Sequence, residues 1–112
     1  MIVYCDIETR SRVDLKRLGV YVYAQDCEVL MAAWSVDGGP VRVDVGEDDI
    51  RRRLLGFGDD VQFIAHNSAF ERVVLGARID PALQNPERWS CTLALSAEYG
   101  YPTALDAVAR AL

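Results

Sequence analysis

Val61-Gln62-Phe63-Ile64-Ala65-His66-Asn67-Ser68-Ala69-Phe70-Glu71 changes its period part-way through, and the rest of the chain can be read outward from that change. Val61 to Ala65 is a short, largely apolar run of the kind that fills a central strand. Asn67 is a good N-cap, with a side chain able to take up an orphan backbone N–H of the helix that follows. Phe70, Val73, Val74 and Ala77 then recur at i, i+3, i+4 and i+7, the apolar stripe of an amphipathic helix. A buried strand that feeds straight into a helix is the repeating step of an α/β domain.

Upstream, Ile2-Val3-Tyr4-Cys5-Asp6-Ile7-Glu8 alternates apolar with smaller or polar residues and reads as the first strand. Thr9 to Asp14 breaks that pattern, and residues 15–28 show no clean period, which predicts an irregular excursion with one helical turn. Glu28 to Val36 reads as a second strand, Gly38-Gly39-Pro40 as a turn and Val41 to Val45 as a third strand, together a hairpin. Glu47, Asp48 and Asp49 suit the positive end of a helix, and Ile50, Leu54 and Phe57 follow at helical spacing. The expected helix covers residues 48–56, stopped by Gly56 and Gly58. Downstream, Pro81 and Pro86 mark a loop and Trp89 to Thr92 a last short strand. A helix to Tyr99 ends at Gly100 and Pro102, and Thr103 caps a final helix with the stripe Leu105, Val108, Ala109 and Leu112. Trp34 and Trp89 read as packing residues. The sum is one α/β domain over residues 1–112 with a mixed sheet, antiparallel in its first three strands and parallel after, flanked by helices.

Composition agrees. The chain has 112 residues, 51% of them hydrophobic, with a net charge of −5 and a mean hydropathy of +0.04, which excludes disorder. Its longest uninterrupted apolar run, Val29 to Trp34, falls far short of the roughly 20 residues that cross a bilayer. Asp6 and Glu8 interrupt any signal-like start, so the expectation is a cytoplasmic protein with no membrane partner. Cys5, Cys27 and Cys91 fit neither a disulfide framework nor a zinc site and read as buried free thiols. The acidic balance argues against nucleic-acid binding by bulk charge, though not against a nuclease whose acids are neutralised by cations.

Asp6 and Glu8 are two apart on a strand and so project from one face. Two carboxylates on a core-forming strand are costly to bury unless a cation lies between them, and Mg²⁺ or Mn²⁺ suits oxygen ligands. Taken alone, the pair also fits a strand end fraying into solvent. Glu71 enters near the start of the second helix, where helix-dipole complementarity would account for it. If the strands preceding the two sites are neighbours, Glu71 looks onto the same spot and three acids converge.

Tyr4-Cys5-Asp6-Ile7-Glu8-Thr9-Arg10-Ser11 and Ala65-His66-Asn67-Ser68-Ala69-Phe70-Glu71-Arg72 resemble the first and second motifs of the DEDD 3′–5′ exonuclease superfamily. The likeness is greatest to the N-terminal proofreading domain of bacteriophage-type family A DNA polymerases. It continues through Val13 to Lys16, Gly19 to Tyr21, Gly39 to Arg42 and Arg88 to Leu105. The resemblance implies an RNase H-like fold and a two-metal site for Mg²⁺ or Mn²⁺, with Asp6, Glu8 and Glu71 as catalytic ligands. In such sites paired ions activate a water and stabilise the leaving 3′-oxygen. It further implies a single-stranded DNA 3′ end as substrate, a polymerase domain as partner, and Thr9, Arg10, Asn67 and Phe70 along the bound strand. Two departures stand out. Glu71 occupies a position where most of the superfamily has Asp, and no third motif follows Thr103, so Asp106 is not promoted to the missing acid. A catalytically inactive exonuclease-like scaffold, and an RNase H-like nuclease acting on RNA, are therefore the rival readings.

Other residues have plainer explanations. His66, the sole histidine, reads as a half-buried group fixing the strand-to-helix corner rather than as a general base. Spacing turns Phe70 toward the core. Arg10, Arg12, Lys16 and Arg17 follow the first acids closely enough to meet phosphates, or form a solvated basic loop. Arg51, Arg52 and Arg53 read as a solvated helix face.

Overall fold

The computed structural model describes residues 1–112. Its centre is a five-stranded sheet in the order β3-β2-β1-β4-β5, built from β1 (Ile2–Arg10), β2 (Glu28–Val36), β3 (Arg42–Val45), β4 (Gln62–Ala65) and β5 (Trp89–Cys91). The first three strands form an antiparallel meander, and β4 and β5 add in parallel on the other edge of β1. The expected mixed sheet flanked by helices is thus observed. β1 and β2 pair from Val3↔Val36 to Arg10↔Glu28, with a shift between Glu8↔Met31 and Thr9↔Val29 that leaves Leu30 over. An extra residue of this kind sharpens the local twist.

Six α-helices, α1 (Leu15–Leu18), α2 (Val20–Asp26), α3 (Glu47–Phe57), α4 (Ser68–Arg78), α5 (Thr92–Glu98) and α6 (Leu105–Ala111), and two 3-10 turns, Pro81–Gln84 and Pro86–Arg88, complete the chain. None is long and apolar enough to cross a membrane. Val3, Cys5 and Ile7 of β1, Ala32 and Trp34 of β2, and Phe63 and Ala65 of β4 join Ile50 of α3 and Val73, Val74 and Leu75 of α4 in one core. Trp34 and Trp89 are buried there as expected, each with its indole N–H satisfied, by Asp44 Oδ2 (2.9 Å) and Leu83 O (2.8 Å) respectively.

Several boundaries differ from the sequence reading, each for a physical reason. β1 runs on through Thr9 to Arg10 because β2 continues beside it to Glu28, and cross-strand pairing overrides the weak local pattern. Residues 15–26 form two helices, where an irregular excursion with one helical turn was expected. Asp14 caps α1 through its carboxylate on the Lys16 N–H (3.1 Å), and α2 buries Tyr23 and Ala24 against α4. The hairpin turns at Asp37 and Gly38, both with positive φ, one residue earlier than expected. Gly56 lies inside α3, which ends at Gly58. In α4 the stripe is broader than predicted: Ala77 is exposed while Leu75 and Gly76 are buried, because the 3-10 turn at Pro81–Gln84 folds back over the helix. Thr103 does not cap α6; Ala104 stands at that position without a side-chain bond, and Leu105 and Leu112 of the expected stripe are exposed.

Candidate active site

β1 outruns its parallel neighbour. Its last pairing with β4 is Tyr4↔Ile64, and β4 ends at Ala65, where the chain turns up into α4. The edge of β1 from Asp6 to Arg10 is therefore free on that side, at the carboxyl ends of two adjacent parallel strands, the position where open α/β sheets place their ligands. The strand that the sequence needed as a neighbour of the first one is its neighbour.

Asp6 and Glu8 are both exposed and share the face of β1 opposite to the buried Cys5 and Ile7. Asp6 lines a groove of about 250 Å³ with Tyr4, Ala33, Ile64, His66 and Leu105. Glu71, in the first turn of α4, is only 4% exposed, and its Oε2 has no hydrogen-bond partner. A bare buried carboxylate oxygen is costly unless it is protonated or paired. Burial, with smaller contributions from the charges of Asp6 and Cys91 and despite a favourable backbone hydrogen bond, pushes the Glu71 carboxyl up to about 8. Burial, then Glu71 and then Asp6, likewise raises the thiol of Cys5 well above its ordinary value.

Asp6, Cys5, Glu71 and Cys91 thus form one electrostatic neighbourhood. The expected convergence of three acids is met only in part: no three His, Cys, Asp or Glu side chains stand close enough to hold a metal ion unaided. Glu8 extends from the exposed face of β1, whereas Glu71 is buried in the first turn of α4. The orphaned Oε2 nevertheless fits a cation, because it is the kind of group that binding would satisfy.

His66 does fix the corner. Its Nδ1 bonds to Thr92 Oγ1 (2.9 Å) and its Nε2 to the Thr103 carbonyl (2.5 Å), tying β4 to α5 and to the segment leading into α6. Asn67 takes a different role from the one expected. Its side chain caps nothing; it adopts left-handed backbone angles (φ 66°, ψ 58°), which Asn tolerates better than most residues, while its carbonyl accepts from Phe70 N–H (3.0 Å). Phe70 is half-buried against the core, in agreement with its spacing, with its ring 5.9 Å from that of Tyr23.

Two of the four early bases are committed elsewhere. Arg10 pairs with Glu28 (2.9 Å) and Arg12 with Asp26 (2.5 Å). The Asp26 carboxyl is held well below its usual range by its bonds to Arg12 and Ser11. Arg51, Arg52 and Arg53 pair with Asp48, Asp49 and Asp44, and Arg51 also reaches the Arg78 carbonyl (3.2 Å).

Two residues of the site escaped the sequence reading. Cys91 is half-exposed, not buried, and its sulfur accepts from Ser68 N–H (3.4 Å) at the start of α4. Burial raises its pKa, but the amides of Ala94, Ser68 and Leu93 outweigh this and lower it. Tyr23 is buried and bonds through its hydroxyl to Thr9 Oγ1 (2.7 Å). Neither had a motif to mark it.

No family model matches the chain. It is 37% identical over 113 aligned residues to a protein of Bacillus phage SP02 named DNA polymerase, an alignment covering 96% of this chain and 17% of that polymerase. The chain is thus polymerase-related in sequence and spans about a sixth of the relative's length.

Proposed function

We propose that the chain is a 3′–5′ exonuclease domain of RNase H-like fold from a phage-type DNA polymerase, hydrolysing the 3′-terminal phosphodiester of single-stranded DNA. The observation that carries the reading is the unpartnered, buried oxygen of Glu71, within the field of Asp6 at the free edge of β1. The kinship with a phage polymerase supports it. Asp6, Glu8 and Glu71 would hold Mg²⁺ or Mn²⁺, which in such sites supplies Lewis-acid activation of water and stabilisation of the leaving oxygen.

The chain's own residues do the rest. Asp6 and Glu8 keep the exposed end of β1 anionic. Phe70 gives the terminal base an apolar surface against which to rest. Thr9 and Asn67 offer polar groups beside the sugar-phosphate backbone, and Arg10 counters its charge once released from Glu28. His66 steadies the corner on which the α4 residues are mounted.

Incubation with a 5′-labelled single strand in Mg²⁺ or Mn²⁺ tests the proposal. Stepwise shortening from the 3′ end, abolished by Asp6→Ala with the fold intact, is the expected result; shortening that persists in Asp6→Ala refutes the assignment. The absence of a ready three-ligand cluster favours one second reading, a non-catalytic module that binds single strands. Calorimetric titration with Mn²⁺ separates the two, since a scaffold shows no binding that depends on Asp6.

A further inference from the structure

We infer that Tyr23 is a positioning residue that holds the two acid-bearing segments in register with one another; this rests on the exonuclease reading above. Tyr23 stands on α2, in neither motif, and is 9% exposed. A phenylalanine would fill the same space without a hydroxyl to satisfy, so the use of that hydroxyl calls for an explanation. Its partner is Thr9 Oγ1 at 2.7 Å. Thr9 directly follows Glu8, where β1 has lost β4 on one side and meets the register shift of β2 on the other. Strand pairing is therefore weakest where the second acid of β1 must be aimed.

The same ring packs on Phe70, at 5.9 Å between centroids and tilted by 46°. Phe70 directly precedes Glu71. One buried side chain thus touches the neighbour of Glu8 and the neighbour of Glu71, linking β1 to α4 through α2. Because α2 also packs extensively on α4, Tyr23 is braced from its own element. The hydroxyl bond fixes the strand end and the ring contact fixes the helix start, so the two acid-bearing segments are spaced by a residue that belongs to neither.

Tyr23→Phe keeps the ring contact and deletes only the hydroxyl, and Thr9→Val deletes the partner. In the strand-shortening assay each should lower kcat about three- to tenfold, and Tyr23→Phe, which removes no group facing the strand, should keep KM within twofold of wild type. The double variant should be no worse than either single one, and Thr9→Ser should restore the rate. Multiplying losses, or a kcat unchanged in both, overturns the inference. Amide hydrogen exchange on the same samples judges it without activity. Tyr23→Phe should speed exchange about tenfold at residues 8–10 and again at 70–71, leaving α3 unchanged. A response confined to one of the two segments overturns the linking role. Wild-type protein that shortens no strand counts against the exonuclease reading, while the exchange result still decides on Tyr23.

Discussion

Glu71 is buried and Asp6 exposed, yet the charge of Asp6 reaches Glu71 and adds to the burial that raises its carboxyl pKa. Of the acids at this corner, Glu71 therefore carries the largest unmet electrostatic demand, and its state depends on what else enters the site.

Stability should register that demand. With a folded pKa of about 8, above the ordinary carboxylate value, Glu71 keeps a proton in the folded chain that the unfolded chain releases. The contribution is complete below about pH 4 and is lost as pH rises to about 8, flattening beyond. Glu71→Gln should remove this slope and exceed wild type at pH 8 by an amount on the order of a few kcal/mol. Urea denaturation of both proteins between pH 5 and 9 measures it; parallel curves would contradict the burial argument.

Position 67 separates backbone conformation from capping. Ser is a good N-cap but a poor occupant of left-handed angles, so Asn67→Ser should cost about 1 kcal/mol, and Asn67→Ala about the same. Asn67→Gly should be neutral or slightly stabilising. Thermal melts of the three variants decide, and a neutral Asn67→Ser would return the side chain to a capping role.

Gly76 is a packing glycine. A Cβ there would lie 2.1 Å from Gln84 Cγ, so Gly76→Ala must displace the 3-10 turn over α4 or bend the Gln84 side chain away. The expected loss is about 1–3 kcal/mol. Adding Gln84→Ala should recover most of it, and chemical denaturation of the single and double variants reports the recovery.

His66 holds the segment before α6 by the Thr103 carbonyl, and α6 itself buries no residue. His66→Ala should therefore accelerate amide exchange over residues 104–112 by about tenfold or more, with β1 to β4 unaffected. Unchanged exchange there would show that the histidine anchors nothing beyond α5.

Much of this was legible in the sequence because local pattern and tertiary context agree. The strict bounds of β2, the strand-to-helix switch at Ala65–Ser68 and the corner role of His66 all follow from period and residue type. Of the two helices between β1 and β2 only a single turn was legible; the longer α2 was not, since it owes its burial to α4, a partner remote in the chain. Asn67 shows the limit at one residue: the same side chain suits an N-cap and a left-handed turn, and only the backbone angles distinguish them. The spacing of Asp6 and Glu8 put both on one face of β1, as observed, but the twist near Leu30 and the bond between Thr9 and Tyr23 carry no local signature.

The topology also dictates the order in which the corner can be assembled. Ile2 pairs with Gln62, whereas the β1–β2–β3 meander is complete by Val45. On a ribosome the meander can therefore close before β4 has emerged, leaving the edge of the central strand bare in the nascent chain. Such an edge is a template for unwanted pairing with other chains. Late-arriving β4 and α4 thus serve both to install Glu71 and to bring a period of aggregation risk to an end, so slow translation after Val45 would be felt first as lost yield.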